Sequence, residues 1–164
     1  MSARLFDGVE LLGVIRDAVT SAGIAPTDIA IEVTESTLVR ELQTAAISMH
    51  GLRTLGVEVS IDDFGTGYSS LAYLKNLPAD TVKIDRRFVR DLPEDAADVA
   101  IVEAVIRMAQ RLGLNTIAEG VENAAQAELL QQLGCGALQG FHIGRPIGPD
   151  HIATRFAQHR AAQT

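Results

Sequence analysis

Five segments of the chain end an apolar or β-branched run on a side chain that can do chemistry. They are Glu32 after Ile29-Ala30-Ile31, Asp62 with Asp63 after Val57–Ile61, Lys83 after Thr81-Val82, Glu119 after Ile117-Ala118, and Gln139 after Ala137-Leu138. Oxygen donors without clustered His or Cys suit hard cations, Mg2+ or Mn2+, better than zinc. A lysine among such acids can simply neutralise one of them in a structural ion-pair network. It can also orient a water, as hydrolysis of a phosphate ester between two metals requires. The carboxylates outnumber the lysine, so negative charge is left over, which favours a cation site with catalysis over passive storage. The four histidines, His50, His142, His151 and His159, show no ligand spacing.

These residues meet only if their segments are parallel strands whose C-terminal ends share one face, where ligands bind in α/β architectures. The pattern supports this. Val57, Val59 and Ile61 alternate as in a strand, Asp62 and Asp63 follow where it stops, and Phe64-Gly65-Thr66-Gly67 forms a glycine-rich turn. Other predicted strands are Ile29–Val33, Thr81–Asp85, Asn115–Glu119 and Gly136–Gly140. Helical spacing predicts helices over Val9–Ala22, from an N-cap at Ser36 to Leu55, over Leu71–Asn76 after a Ser69 or Ser70 cap, and over Asp98–Leu112. The Asp98–Leu112 helix carries an apolar stripe of Ile101, Val102, Val105, Met108 and Leu112. Asn123 and Gln126 read as a capping box for a helix to Leu133, and Pro149 opens a last helix through Phe156. One helix followed by five βα units implies a parallel sheet. No glycine-rich dinucleotide fingerprint follows the first strand, and five units are too few for a (β/α)8 barrel of ~250 residues. The sheet is either open or the C-terminal part of a barrel.

At 164 residues the chain is one domain's worth. Its net charge of −7 argues against a DNA or RNA groove binder, although a divalent cation can still bridge an acidic protein to a phosphate. The lone Cys135 can form no internal disulfide and reads as a small buried residue. No apolar run approaches the ~20 residues of a membrane span, and the first residues lack a signal pattern, so a cytoplasmic location is expected.

In order along the chain, the motifs Glu32-Val-Thr-Glu35-Ser, Asp62-Asp63-Phe-Gly-Thr-Gly-Tyr-Ser-Ser70, Lys83-Ile-Asp85, Ala118-Glu119-Gly-Val-Glu122 and Gln139-Gly-Phe-His-Ile-Gly-Arg-Pro146 resemble those of the EAL domain family, bacterial phosphodiesterases that hydrolyse cyclic di-GMP to linear pGpG. The resemblance implies a modified (β/α)8 barrel, of which residues 1–164 would be a single EAL-like domain truncated on its N-terminal side. It implies Glu32, Asp62, Asp63 and Glu119 as ligands of two cations, with Asp62 shared between them. Lys83 and Gln139 would contact and orient the attacking water, with Glu119 counted among the catalytic residues. Glu35 would anchor a regulatory loop of Phe64, Gly65, Thr66, Gly67, Tyr68, Ser69 and Ser70, and Glu122 would be a supporting acid. The family's Glu-Ala-Leu glutamate and an Asn ligand lie upstream of residue 1 in that pattern, so little activity is expected of the isolated chain. A degenerate module serving as a cyclic di-GMP receptor or protein scaffold is the alternative. A homodimer and an upstream sensory or GGDEF-type domain are the partners the resemblance suggests.

Overall fold

Each strand pairs with the next one in the chain. The computed structural model describes residues 8–40, 42–65, 74–152 and 154. Strands β1 (Ala30–Thr34), β2 (Glu58–Phe64), β3 (Thr81–Ile84), β4 (Asn115–Glu119) and β5 (Ala137–Gln139) form one sheet in the order β1-β2-β3-β4-β5. Every neighbouring pair is parallel. A doubly wound sheet reverses its order at a switch point; this one does not. With right-handed crossovers, an unreversed order puts the connecting helices on one face and leaves the other to line a barrel interior. The helices are α1 (Gly8–Ala22), α2 (Glu35–Arg40), α3 (Leu42–Thr54), α4 (Arg86–Val89), α5 (Ala96–Leu112) and α6 (Ala124–Leu133).

The period of two sorts the side chains between the two faces. Val33, Val59, Ile61 and Val82 pack with Leu38, Met49 and Leu52 in one cluster against α2 and α3. Ile84 and Ala118 join Val89, Val102, Ile106 and Leu130 in a second cluster against α4, α5 and α6. Each fully buried Leu, Ile or Met contributes about 1.5–3 kcal/mol, so the helix side carries the stability and the other face is left for chemistry.

The predicted elements hold in type, with shifts that have local causes. α5 starts at Ala96 because the Asp95 carboxylate caps it, accepting from the N–H groups of Ala97 and Asp98. Its buried stripe is Val102, Ile106 and Ala109, whereas Ile101 and Leu112 are exposed. α2 begins at Glu35, ahead of the expected Ser36 cap; the Thr34 hydroxyl lies 2.9 Å from that of Thr37. β3 ends at Ile84, since Asp85 caps α4, a helix absent from the sequence reading. The Asn123–Gln126 capping box forms as expected. Cys135 is half-buried rather than buried, at the turn into edge strand β5, its Sγ 3.3 Å from the Ala137 carbonyl. The expected start of a helix at Leu71 and the end of the last helix at Phe156 lie outside the described residues.

The C-terminal ends of β4 and β5 are held at one spacing by Val121, which donates to the Gln139 carbonyl at 3.0 Å and accepts from His142 N–H at 3.0 Å. A Cβ at Gly140 would stand 2.1 Å from the Val121 carbonyl oxygen. Gly140→Ala is therefore expected to cost ~3 kcal/mol in urea unfolding. Gly113→Ala, with open space around it and a left-handed φ of 73°, should cost only ~1 kcal/mol. Equal losses would contradict this packing.

Candidate metal centre

Parallel register places the reactive side chains together. Glu32, Asp62, Lys83 and Glu119 alternate with the core residues Val33, Ile61, Val82, Ile84 and Ala118, so they share the face opposite the helices. Gln139 pairs with Glu119 across β4 and β5 and shares its face.

Consecutive residues of a regular strand point to opposite faces, so Asp62 and Asp63 could not serve one site without a break in the pleat. The break is there. The β2–β3 register shifts between Ile61 and Phe64, and Asp63 adopts φ 55°, the only non-glycine residue with positive φ among those described. Such bulges re-aim side chains next to active sites, and Asp tolerates this conformation better than most residues. As a result, one carboxylate oxygen from each of Asp62, Asp63 and Glu119 lies within 4.8 Å of the others.

Lys83 is the counter-charge. Its side chain is nearly buried, with Nζ 2.6 Å from Glu32 Oε1, 2.6 Å from Glu119 Oε1 and 3.4 Å from Asp62 Oδ1. Burial opposes its charge, but the hydrogen bonds to Glu119 and Glu32 and the charges of Glu119 and Asp62 outweigh it, so its pKa rises and it stays an ammonium. Asp63 is pushed up by burial, by a hydrogen bond with Asp85 and by the nearby charges of Asp62, Asp85 and Glu119. One ammonium does not balance this group. Asp62 Oδ1 remains buried without a hydrogen-bond partner despite its 3.4 Å approach to Lys83. An orphaned carboxylate oxygen within an all-oxygen donor set fits a hard divalent cation.

Surrounding residues fall into place unevenly. Glu35, 5% exposed, accepts the Gly65 N–H at 2.9 Å and so holds the start of the glycine-rich turn. Gly65 has φ +93°, and a Cβ there would meet the Phe88 ring at 2.9 Å. Thr66, Gly67, Tyr68, Ser69 and Ser70 lie outside the described residues. Glu122 is exposed and lines a cleft with Arg86, Arg87 and Arg90, making no ion pair with the centre among the described residues. Asp85 closes the predicted strand and the Lys83-Ile-Asp85 motif with no role assigned to it, yet it binds Asp63. It accepts from Arg87 N–H at 2.7 Å and Arg87 Nε at 3.2 Å, and its pKa is lowered because these bonds and the one with Asp63 outweigh burial. The signal that could have found it is its place directly after β3, followed by Arg86-Arg87, where an N-cap is favoured.

The EAL domain family model matches residues 1–146. The bifunctional diguanylate cyclase/cyclic di-GMP phosphodiesterase MucR of Pseudomonas aeruginosa is 44% identical over 157 residues, covering 96% of this chain and 23% of that protein. The solved PaMucR phosphodiesterase in complex with c-di-GMP superposes with a TM-score of 0.88 at 45% identity, covering 93% of this chain and 62% of that one. Klebsiella pneumoniae BlrP1, solved with manganese and cyclic di-GMP, gives 0.80 at 35% identity, covering 87% of this chain and 36% of the other. The chain thus spans less than a quarter of the first curated relative and under two thirds of the first solved one. Its five consecutive parallel strands are a portion of the barrel wall of these proteins, and the chain belongs to the EAL domain family.

Proposed function

We propose that this chain is the C-terminal portion of a cyclic di-GMP phosphodiesterase, in which the complete domain opens one phosphodiester to give linear pGpG. The carrying observation is the bulge that brings one carboxylate oxygen each of Asp62, Asp63 and Glu119 within 4.8 Å of one another, with the buried Asp62 Oδ1 lacking a hydrogen bond. Glu32, Asp62, Asp63 and Glu119 would hold two divalent cations, Mg2+ or Mn2+, with Asp62 between them. Bound there, the cations would supply charge neutralisation at the phosphoryl oxygens and a more acidic water.

The chain's own residues do the rest. Lys83 sits where its N–H groups can be shared between the carboxylates and a water, and Gln139, beside Glu119 in register, offers an amide to orient the same water. The water oxygen forms a bond to phosphorus as the bond to the in-line ribose oxygen breaks; a neighbouring carboxylate such as Glu119 takes the proton that the water loses, and the leaving ribose oxygen takes a proton from a solvent water. Glu35 accepts the Gly65 N–H two residues after Asp63, and this bond supports reading Phe64–Ser70 as a regulatory segment. The complete protein is read as acting in the cytoplasm, as a homodimer, under an upstream sensory or GGDEF-type domain.

A scaffold or receptor has no need of the water-orienting lysine among four acids, and this favours the enzyme over a degenerate module. The isolated chain, spanning 62% of the PaMucR structure, is expected to turn over little cyclic di-GMP.

Two outcomes follow. Titrated with Mn2+ and read by electron paramagnetic resonance, the chain should bind the ion, with Asp62→Asn at least ~10-fold weaker; equal affinity would remove Asp62 from the centre. In the full-length protein that carries this chain, Lys83→Ala should lower pGpG formation by at least ~100-fold while circular dichroism stays unchanged. A wild-type protein that binds cyclic di-GMP and releases no pGpG would establish a receptor instead.

A further inference from the structure

A cleft of about 320 Å³ opens at the end of the sheet remote from the carboxylates. Its walls are Arg53 from the last turn of α3, Lys75, Asp80 just ahead of β3, and residues 112–115, which join α5 to β4. Asp80 stands three residues before Lys83, ~10 Å away along an extended chain, so an occupant here is separate from the metal centre.

The Arg53 guanidinium is held but only partly used. Its Nε lies 3.0 Å from Asp80 Oδ1, and the other Asp80 oxygen, Oδ2, accepts the Val59 N–H at 2.9 Å. Asp80 is fixed in turn by its backbone, whose N–H donates to the Val59 carbonyl at 2.8 Å and whose carbonyl accepts the Asn115 N–H at 2.9 Å. A guanidinium carries five N–H donors in one rigid plane. With Nε turned to Asp80, those on the two Nη atoms make no hydrogen bond among the described residues. Lys75 is exposed and has no ion pair or hydrogen bond among the described residues. Taken as equally wide in every direction, a cleft of this volume is ~7 Å across, so its lining groups face one small occupant.

The charge balance selects the kind of occupant. Arg53 and Lys75 against Asp80 leave one net positive charge, which matches one carboxylate rather than a doubly charged phosphate. The C-termini of α3 and α5 both end at the cleft, and their negative dipole ends add to the cost of a second negative charge. A carboxylate offers about four lone-pair sites, enough for the Arg53 fork and a Lys75 N–H together. Leu77, Leu112 and Leu114 line the same cleft and suit a short hydrocarbon tail.

We propose that this cleft binds a small monocarboxylic acid, its carboxylate held by the Arg53 fork and Lys75 and its tail on the three leucines. Asp80, which anchors Arg53, also bonds β2 and β4 at their amino ends, and the opposite ends of β2, β3 and β4 carry Asp62, Lys83 and Glu119. The occupant therefore adjoins the residue that ties the three site-bearing strands together. The site stands whether or not the carboxylates act on cyclic di-GMP.

The test is titration of the full-length protein with butyrate in metal-free buffer at about pH 8, where phosphate is doubly charged, read by saturation-transfer NMR. Butyramide serves as the uncharged match in shape, and inorganic phosphate, read by its displacement of butyrate, as the doubly charged anion. The wild type should bind butyrate more tightly than either. Arg53→Ala should weaken butyrate at least ~10-fold. Arg53→Lys, which keeps the charge and loses the fork, should behave like Arg53→Ala. Lys75→Glu alters an exposed side chain and should weaken butyrate at least ~3-fold with circular dichroism unchanged. A wild type that binds no butyrate would overturn the assignment, as would butyramide bound equally or phosphate bound more tightly. Butyrate affinity unchanged in Arg53→Ala or in Lys75→Glu would overturn it as well.

Discussion

Like charges in a partly buried space repel strongly, and a carboxylate without a partner there is costly to ionise. Glu32, Asp62 and Glu119 all lie within 3.4 Å of a single ammonium, and Asp63 is turned toward the same place. Lys83 can offset one negative charge. The Asp63 carboxyl is pushed toward its neutral form by burial, by its hydrogen bond with Asp85 and by the neighbouring charges, and Asp62 keeps a buried oxygen without a hydrogen bond. A fold built for stability alone would not assemble this group. It becomes reasonable when more positive charge is brought by divalent cations, which the all-oxygen donor set suits.

The rest of the structure keeps that repulsive group together. The helix-facing half of each strand supplies apolar burial, which leaves the other half free to carry acids. Unreversed strand order sets the strand ends side by side, so neighbours in space come from residues 32, 62, 83 and 119. The bulge at Asp63 departs from regular pleating at the one place where two sequential residues must face the same way. Strain of this kind, about 1–3 kcal/mol per residue, persists where surrounding contacts over-determine it. Here Glu35 bonds the following Gly65 N–H, and Asp85 bonds Asp63.

Much of this was legible in the sequence because it depends on period and punctuation. The alternation in Val57–Ile61 and the Asn123–Gln126 box fix element type and direction, and direction places Glu32, Asp62, Lys83, Glu119 and Gln139 on one face. What stayed hidden depends on contacts between segments. Nothing in Asp62-Asp63 announces a bulge, since the register shift arises where β2 meets β3. Asp85 looks like one more strand residue until it caps α4 and meets Asp63. Ile101 and Leu112 fit a helical stripe but are exposed, whereas Val102 of that stripe is buried together with Ile106 and Ala109, because the buried arc is set by what α5 packs against. Glu122, grouped with the metal centre by motif, lies at the arginine cleft.

The central claim is that the Asp62-Asp63 bulge exists to put both carboxylates and Glu119 on divalent cations. Anomalous diffraction at the manganese edge, from crystals of the protein grown with Mn2+, tests it most directly. The account predicts an anomalous peak bonded by oxygens of Asp62, Asp63 and Glu119, with Asp63 still at positive φ. A peak elsewhere, no peak at all, or Asp63 turned to the helix side with the metal bound would contradict it.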